Sequence, residues 1–266
     1  MISKYFIKNI ISSKRLWAFG VFFMIFWLFM GAYVFGFVSY NQSTVLYSSS
    51  VWFGIISVVA VSTLAITVAL SIYYASFSLS YAFKFSKLKP YQYTINFMLA
   101  SAIMGTIMGI VMMVFTSLFF GNKSGYKIIP KFPLEILGIS ALGSIFMFLL
   151  AMLLIIAVNN YLGLKNVSFV SFIPLLLTYI FGFTQLSIKL PEYLIYLSPF
   201  TEISDLLFYL FDGHSPRRIL DNPASSIINP YYLAFYLSMW IVIFFIVDII
   251  LLKRIKPANI EEARQV

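Results

Sequence analysis

The chain alternates long apolar runs with short polar breaks. Between Arg15 and Lys84 no charged residue occurs, an interval too long for one bilayer crossing. The stretches Ser39-Tyr40-Asn41-Gln42-Ser43-Thr44 and Ser48-Ser49-Ser50 divide it and read together as a short loop. The pattern therefore predicts helical spans over 16–38 and 51–81. A basic loop follows, and further apolar runs predict spans over 93–120, 135–158, 167–187 and 231–252. Each reaches the roughly 20 residues that cross hydrocarbon as a helix. The fold class is thus an all-α polytopic membrane protein with six transmembrane helices, covering 16–252 between residues 1–15 and a tail at 253–266.

Three segments outside these spans carry their own patterns. In residues 2–15, Lys4, Lys8 and Arg15 fall on one helical arc, opposite Ile2, Phe6 and Ile10. This reads either as an amphipathic helix lying on the membrane or as basic flanking residues that only set topology. The loop from Ala82 to Tyr93 interleaves Lys84, Lys87 and Lys89 with Phe83, Phe85, Leu88 and Tyr91, and has no acidic residue. It reads as an anchor on anionic lipid or as a short helix offered to a soluble partner. Between spans five and six, residues 194–211 are largely apolar, carry only Glu202 and Asp205, and are broken by Ser198-Pro199. This length suits an outer re-entrant segment and is too broken for two further spans.

Composition agrees with the pattern. Of 266 residues 61% are hydrophobic and 10% charged, which excludes a water-soluble globule. There is no cysteine and one histidine, His214, so thiolate chemistry and a multi-histidine metal centre are excluded for a single chain. The net charge of +9 gains meaning from its placement. One side of the predicted topology holds Lys4, Lys8, Lys14, Arg15, Lys84, Lys87, Lys89, Lys165, Lys253, Arg254, Lys256 and Arg264, against Glu261 and Glu262. The other holds Lys123, Lys127, Lys131, Lys189, Arg217 and Arg218 against six acidic residues. The positive-inside rule makes the first side cytoplasmic, so both termini are expected inside a cell membrane, and no nucleic-acid partner is needed to explain the charge. The run from Leu16 is too long for a signal-peptide core and is expected to be retained.

The search for chemistry finds little. No Gly-rich phosphate loop and no nucleophile–base pair is visible, so no catalytic, cofactor-binding or metal-ligating residue is assigned and the chain is not expected to be an enzyme. The one charge inside a span is Asp248, placed near the cytoplasmic interface and expected to pair with Lys253 or Arg254, or to contact the amphipathic helix. Thr63, Thr67 and Ser71 form a hydroxyl stripe that either bonds back to the backbone or lines a pathway. Pro174 either kinks span five to shape a vestibule or eases packing. Gly105 and Gly109 form a Gly-xxx-Gly pair expected to serve close helix contact. His214 is expected to be an exposed loop residue.

These parts, in this order and over nearly the whole chain, resemble the permease subunit of an ABC-2 type transporter. Tyr196-Leu-Ser-Pro-Phe-Thr-Glu-Ile-Ser-Asp205 looks like that family's Pro-containing motif after span five, and Lys87-Leu-Lys-Pro-Tyr looks like the end of its coupling segment. Just before the latter, Ser80-Tyr-Ala-Phe-Lys-Phe replaces the acidic-basic-Gly-Thr stretch common in the family. The resemblance implies a dimer with a second permease copy or paralogue, and two cytoplasmic ATPase subunits that carry the ATP and Mg. It implies that residues 83–93 form a coupling helix, with Phe83, Lys84, Phe85, Lys87, Leu88, Lys89 and Tyr91 at the ATPase groove. Pro199, Phe200, Glu202 and Asp205 would belong to the re-entrant gate, and Thr63, Thr67, Ser71 and Pro174 would be candidate pathway residues. The expected function is export of an amphipathic or lipid-like substrate. A membrane scaffold without transport activity and an ion-coupled carrier are the alternatives.

Overall fold

Apolar runs with few helix breakers form helices wherever lipid or protein removes water from the backbone, since each N–H and C=O must then bond within the segment. The computed structural model describes residues 7–8, 10–35, 41–85, 88–162, 167–220 and 225–255. Six of its helices are long and apolar enough to cross a membrane. They are α1 (Leu16–Tyr33), α2 (Gln42–Phe85), α3 (Pro90–Ser124), α4 (Pro133–Ala157), the pair α5 (Val167–Ser171) and α6 (Ile173–Ser187), and α9 (Pro230–Leu252). Two shorter helices, α7 (Glu192–Leu197) and α8 (Pro199–Asp212), lie between α6 and α9. Among the described residues the only β-type pairing is a single antiparallel bridge between Arg217 and Ile227.

Helix α2 differs most from expectation. From Gln42 onward the stretch read as a loop supplies its first turns: Asn41 Oδ1 accepts from the Ser43 N–H at 3.3 Å as an N-cap. Ser49 and Ser50 both donate their hydroxyls to the Leu46 carbonyl, at 2.7 and 2.6 Å, so these serines stay helical without water. The resulting 44-residue helix is about 66 Å long, roughly twice the hydrocarbon thickness.

Span five is broken where its proline requires it. Pro174 is the second residue of α6, has no N–H to give, and would crowd the carbonyl four residues earlier; the chain turns at Phe172. Helix α1 is π-wound over Leu16–Phe22, and a second π turn, Val158–Leu162, ends α4. Of residues 2–15, residues 2–6 and 9 lie outside the described set. Within the remainder Ile10 is buried, Lys8 is exposed, and the chain bends at Ser12-Ser13 before entering α1.

Helix α4 packs against α2, α3, α8 and α9. Its closest neighbour is α3, through the expected glycines. A Cβ on Gly105 would fall on the Ser144 hydroxyl and 2.6 Å from the Ser140 carbonyl oxygen, and one on Gly109 would meet Ser140 Oγ. Small residues on both helices thus bring the two backbones together, the usual means of association inside lipid. Gly20 does the same for α1, where a Cβ would meet Thr63 and the Met108 side chain.

Candidate functional site

Alternating helices carry the chain between two ends. The described basic residues at one end, Lys8, Lys14, Arg15, Lys84, Lys89, Lys253 and Arg254, are all exposed. Among the described residues no ion pair engages any of them. At the other end Lys123 Nζ donates to the Tyr33 carbonyl at 3.2 Å and lies 5.6 Å from that ring's centroid, joining the tips of α3 and α1.

At the basic end, the expected separate coupling helix does not form. Phe83, Lys84 and Phe85 are the last residues of α2, while Tyr91 lies in the first turn of α3, after Leu88 and Lys89. Pro90 is pre-set for the first helical position, and Gln92 Oε1 accepts from the Lys89 N–H at 3.2 Å; these local signals start α3 at once. Lys87 lies outside the described residues. The aromatic set also divides. Phe83 turns inward, 6.0 Å from the Tyr93 ring in an edge-on contact, and Leu88 is half-buried against the core. Phe85 and Tyr91 are exposed, as are Lys84 and Lys89. Phe85 continues a ladder of exposed rings up α2 through Tyr81, Phe77 and Tyr74.

The same face of α2 opens higher up into a cleft of about 310 Å³ between α1, α2 and the α5–α6 pair. Thr63 and Thr67 line it with Ile66 and Leu70; Phe19 and Phe23 close one side, and Phe172, Leu175 and Tyr179 the other. At Thr63 and Ser71 the hydroxyl stripe bonds back to its own backbone. Thr63 faces the cleft yet donates to the Ala60 carbonyl at 2.7 Å, and Ser71, outside the lining, donates to the Thr67 carbonyl at 2.8 Å. Pro174 does not line the cleft; it sets the break that places Phe172 and Leu175 there. Arg15 sits at the cleft's edge, a position not foreseen from the sequence.

Helix α8 contains the other candidate set and is almost wholly buried. Pro199 is its first residue, after Ser198 in extended conformation, and Thr201 Oγ1 donates to the Ile195 and Ser198 carbonyls across the break. The Phe200 ring lies 5.8 Å from Phe146 and 6.0 Å from Phe181, and Phe146 stacks on Phe244 at 5.7 Å. Since Phe146 lies near the middle of α4, α8 begins level with the middle of the spans. It climbs to Gly213, whose φ of +88° ends the helix. There the Lys131 and Phe132 N–H groups donate to the Phe211 and Leu210 carbonyls, both at 3.0 Å. The burial of α8 brings its two carboxylates inside. Asp205 accepts from Gln185 Nε2 at 2.9 and 2.8 Å. Glu202 has no hydrogen-bond partner on either oxygen among the described residues.

Burial raises both carboxyl groups above the ordinary carboxylate range, and for Asp205 the Gln185 bond opposes part of that rise. Asp248 is a third buried carboxylate. Among the described residues no ion pair or hydrogen bond joins it to Lys253 or Arg254, the first of the two arrangements expected for it. Glu202 and Asp205 lie outside the six spans yet are as fully buried as Asp248. The sequence signal was their isolation in an apolar segment; what it lacked was the enclosing packing. His214 is exposed as expected, with Nδ1 2.7 Å from Asp212 Oδ2. Among the described residues no three His, Asp or Glu side chains gather to hold a metal. No protein-family model and no curated relative matches the chain.

Proposed function

We propose that the chain is the transmembrane permease subunit of an ATP-driven exporter, working as a dimer with two copies of a cytoplasmic ATPase and moving an amphipathic or lipid-like substrate. The observation that carries this reading is one face of α2. The face lines the apolar cleft with Thr63, Ile66, Thr67 and Leu70, then continues as the Tyr74, Phe77, Tyr81 and Phe85 ladder to the lysine-flanked turn before α3. A single rigid helix links a site for an apolar substrate to an exposed surface suited to a soluble partner. Motion imposed at Phe85 would reach the cleft without charged relays. Helix α8, entering from the far end to mid-depth, supplies the closed outer gate of this scheme, and the positive-inside rule places the α2–α3 turn in the cytoplasm of a multi-pass cell-membrane protein. Isolating the complex from native membranes in mild detergent and identifying its subunits tests the reading: an ATPase at equal stoichiometry is expected, and a chain recovered repeatedly without one contradicts it.

Glu202 and Asp205 favour a second reading, an ion-coupled carrier, because buried carboxylates at membrane depth are common proton and cation sites. Transport that runs without any ATPase, collapses on dissipating the proton gradient and is lost in Glu202→Gln would establish it.

A further inference from the structure

Arg15 stands at the edge of the cleft between α1, α2 and α5–α6. Among the described residues no acidic side chain pairs with it, no hydrogen bond engages its guanidinium, and none of the residues lining the cleft is acidic. A guanidinium left in this state is a ready partner for a phosphate, which it can hold through two parallel N–H···O bonds. Beyond it the cleft is apolar. Phe19 and Phe23 rise from Arg15 along α1, and Leu70 and Leu175 face it from the other helices. From Leu70 up to Thr63 the α2 wall runs about 10 Å, room for much of an acyl chain. Phe19, Phe23 and Phe172 are also exposed outward, so the cleft opens sideways toward lipid. A cation at one edge and an apolar trough leading from it complement an amphiphile with an anionic head.

We propose that this cleft binds one anionic membrane lipid, its headgroup phosphate on Arg15 and an acyl chain along Phe19, Phe23, Leu70 and Leu175, taken from the leaflet at the basic end. The site is a property of this chain alone and holds whatever drives transport. Lys14 is also exposed but does not line the cleft, which makes it the control for diffuse attraction between a basic surface and anionic lipid.

The test is native mass spectrometry of the full chain in non-ionic detergent, with phosphatidylglycerol or phosphatidylcholine of identical acyl chains. Wild type is expected to retain one phosphatidylglycerol about fivefold or more in preference to phosphatidylcholine, the scale of one basic residue at a membrane surface. Arg15→Gln should lose that preference, Lys14→Gln should keep it, and Leu70→Trp should lower retention of both lipids. Equal retention of the two lipids by wild type, or an equal loss of preference in Arg15→Gln and Lys14→Gln, overturns the proposal. Arg15 is exposed, so its variant decides the matter even if Leu70→Trp fails to fold.

Discussion

Gln185 Nε2 lies 2.9 and 2.8 Å from the two carboxylate oxygens of Asp205, and the bond joins the last turn of α6 to the middle of buried helix α8. The Gln185 backbone carbonyl also accepts from the Leu220 N–H at 3.2 Å, so one residue holds α6, α8 and the segment before α9 together. A donor removed here leaves a buried carboxylate with none. Gln185→Leu is therefore expected to cost about 1–3 kcal/mol. Asp205→Asn keeps an acceptor for Gln185, cannot ionise and should cost less. Chemical or thermal unfolding in detergent reads the order, and Asp205→Asn proving the more damaging would contradict this role for Gln185.

Glu202 gives stability a pH dependence of definite sign. Its carboxyl group is raised by burial, so the folded chain holds this proton to higher pH than the unfolded chain does. Stability is then full below the ordinary glutamate value and declines as pH rises from there toward the raised value, because ionisation forces a charge into the interior. Glu202→Gln should flatten that decline and leave the variant more stable than wild type at neutral to alkaline pH. Apparent melting temperatures of the two proteins across this range check it; parallel profiles would show that Glu202 does not titrate in this way.

Gly105 and Gly138 form a matched pair for the α3–α4 contact. A Cβ at Gly105 collides with Ser144 and the Ser140 carbonyl, whereas a Cβ at Gly138 meets nothing within 4 Å. Gly105→Ala is expected to destabilise by about 1–3 kcal/mol through overpacking. Gly138→Ala, on the same helix pair, should be neutral or gain up to about 1 kcal/mol from helix propensity. Thermal unfolding of both variants makes the comparison.

Much of this architecture is written in the chain. The gap from Arg15 to Lys84 marks two spans, Pro174 marks the break in the fifth, and Gly105 with Gly109 marks a close helix contact. What the chain conceals are choices made by neighbours. Serines near Leu46 suit a loop as well as a helix until an N-cap at Asn41 and the absence of water decide for the helix. Glu202 and Asp205 mark a re-entrant segment in the chain, but their full burial follows only from α2, α4, α6 and α9 enclosing α8. Phe83 and Phe85, two residues apart on α2, point to opposite fates because only one of them faces Tyr93.

In the proposed exporter, force would enter through the exposed end of α2. The decisive measurement is ATP hydrolysis by the reconstituted complex, with and without an amphipathic substrate, for wild type and for Phe85→Asp/Tyr91→Asp. Both residues are exposed, so the variant should fold and insert normally. The variant is expected to lose bound ATPase, or to lose substrate stimulation of hydrolysis while the ATPase keeps its basal rate. A variant that assembles fully and shows undiminished substrate-stimulated hydrolysis would contradict this role for α2.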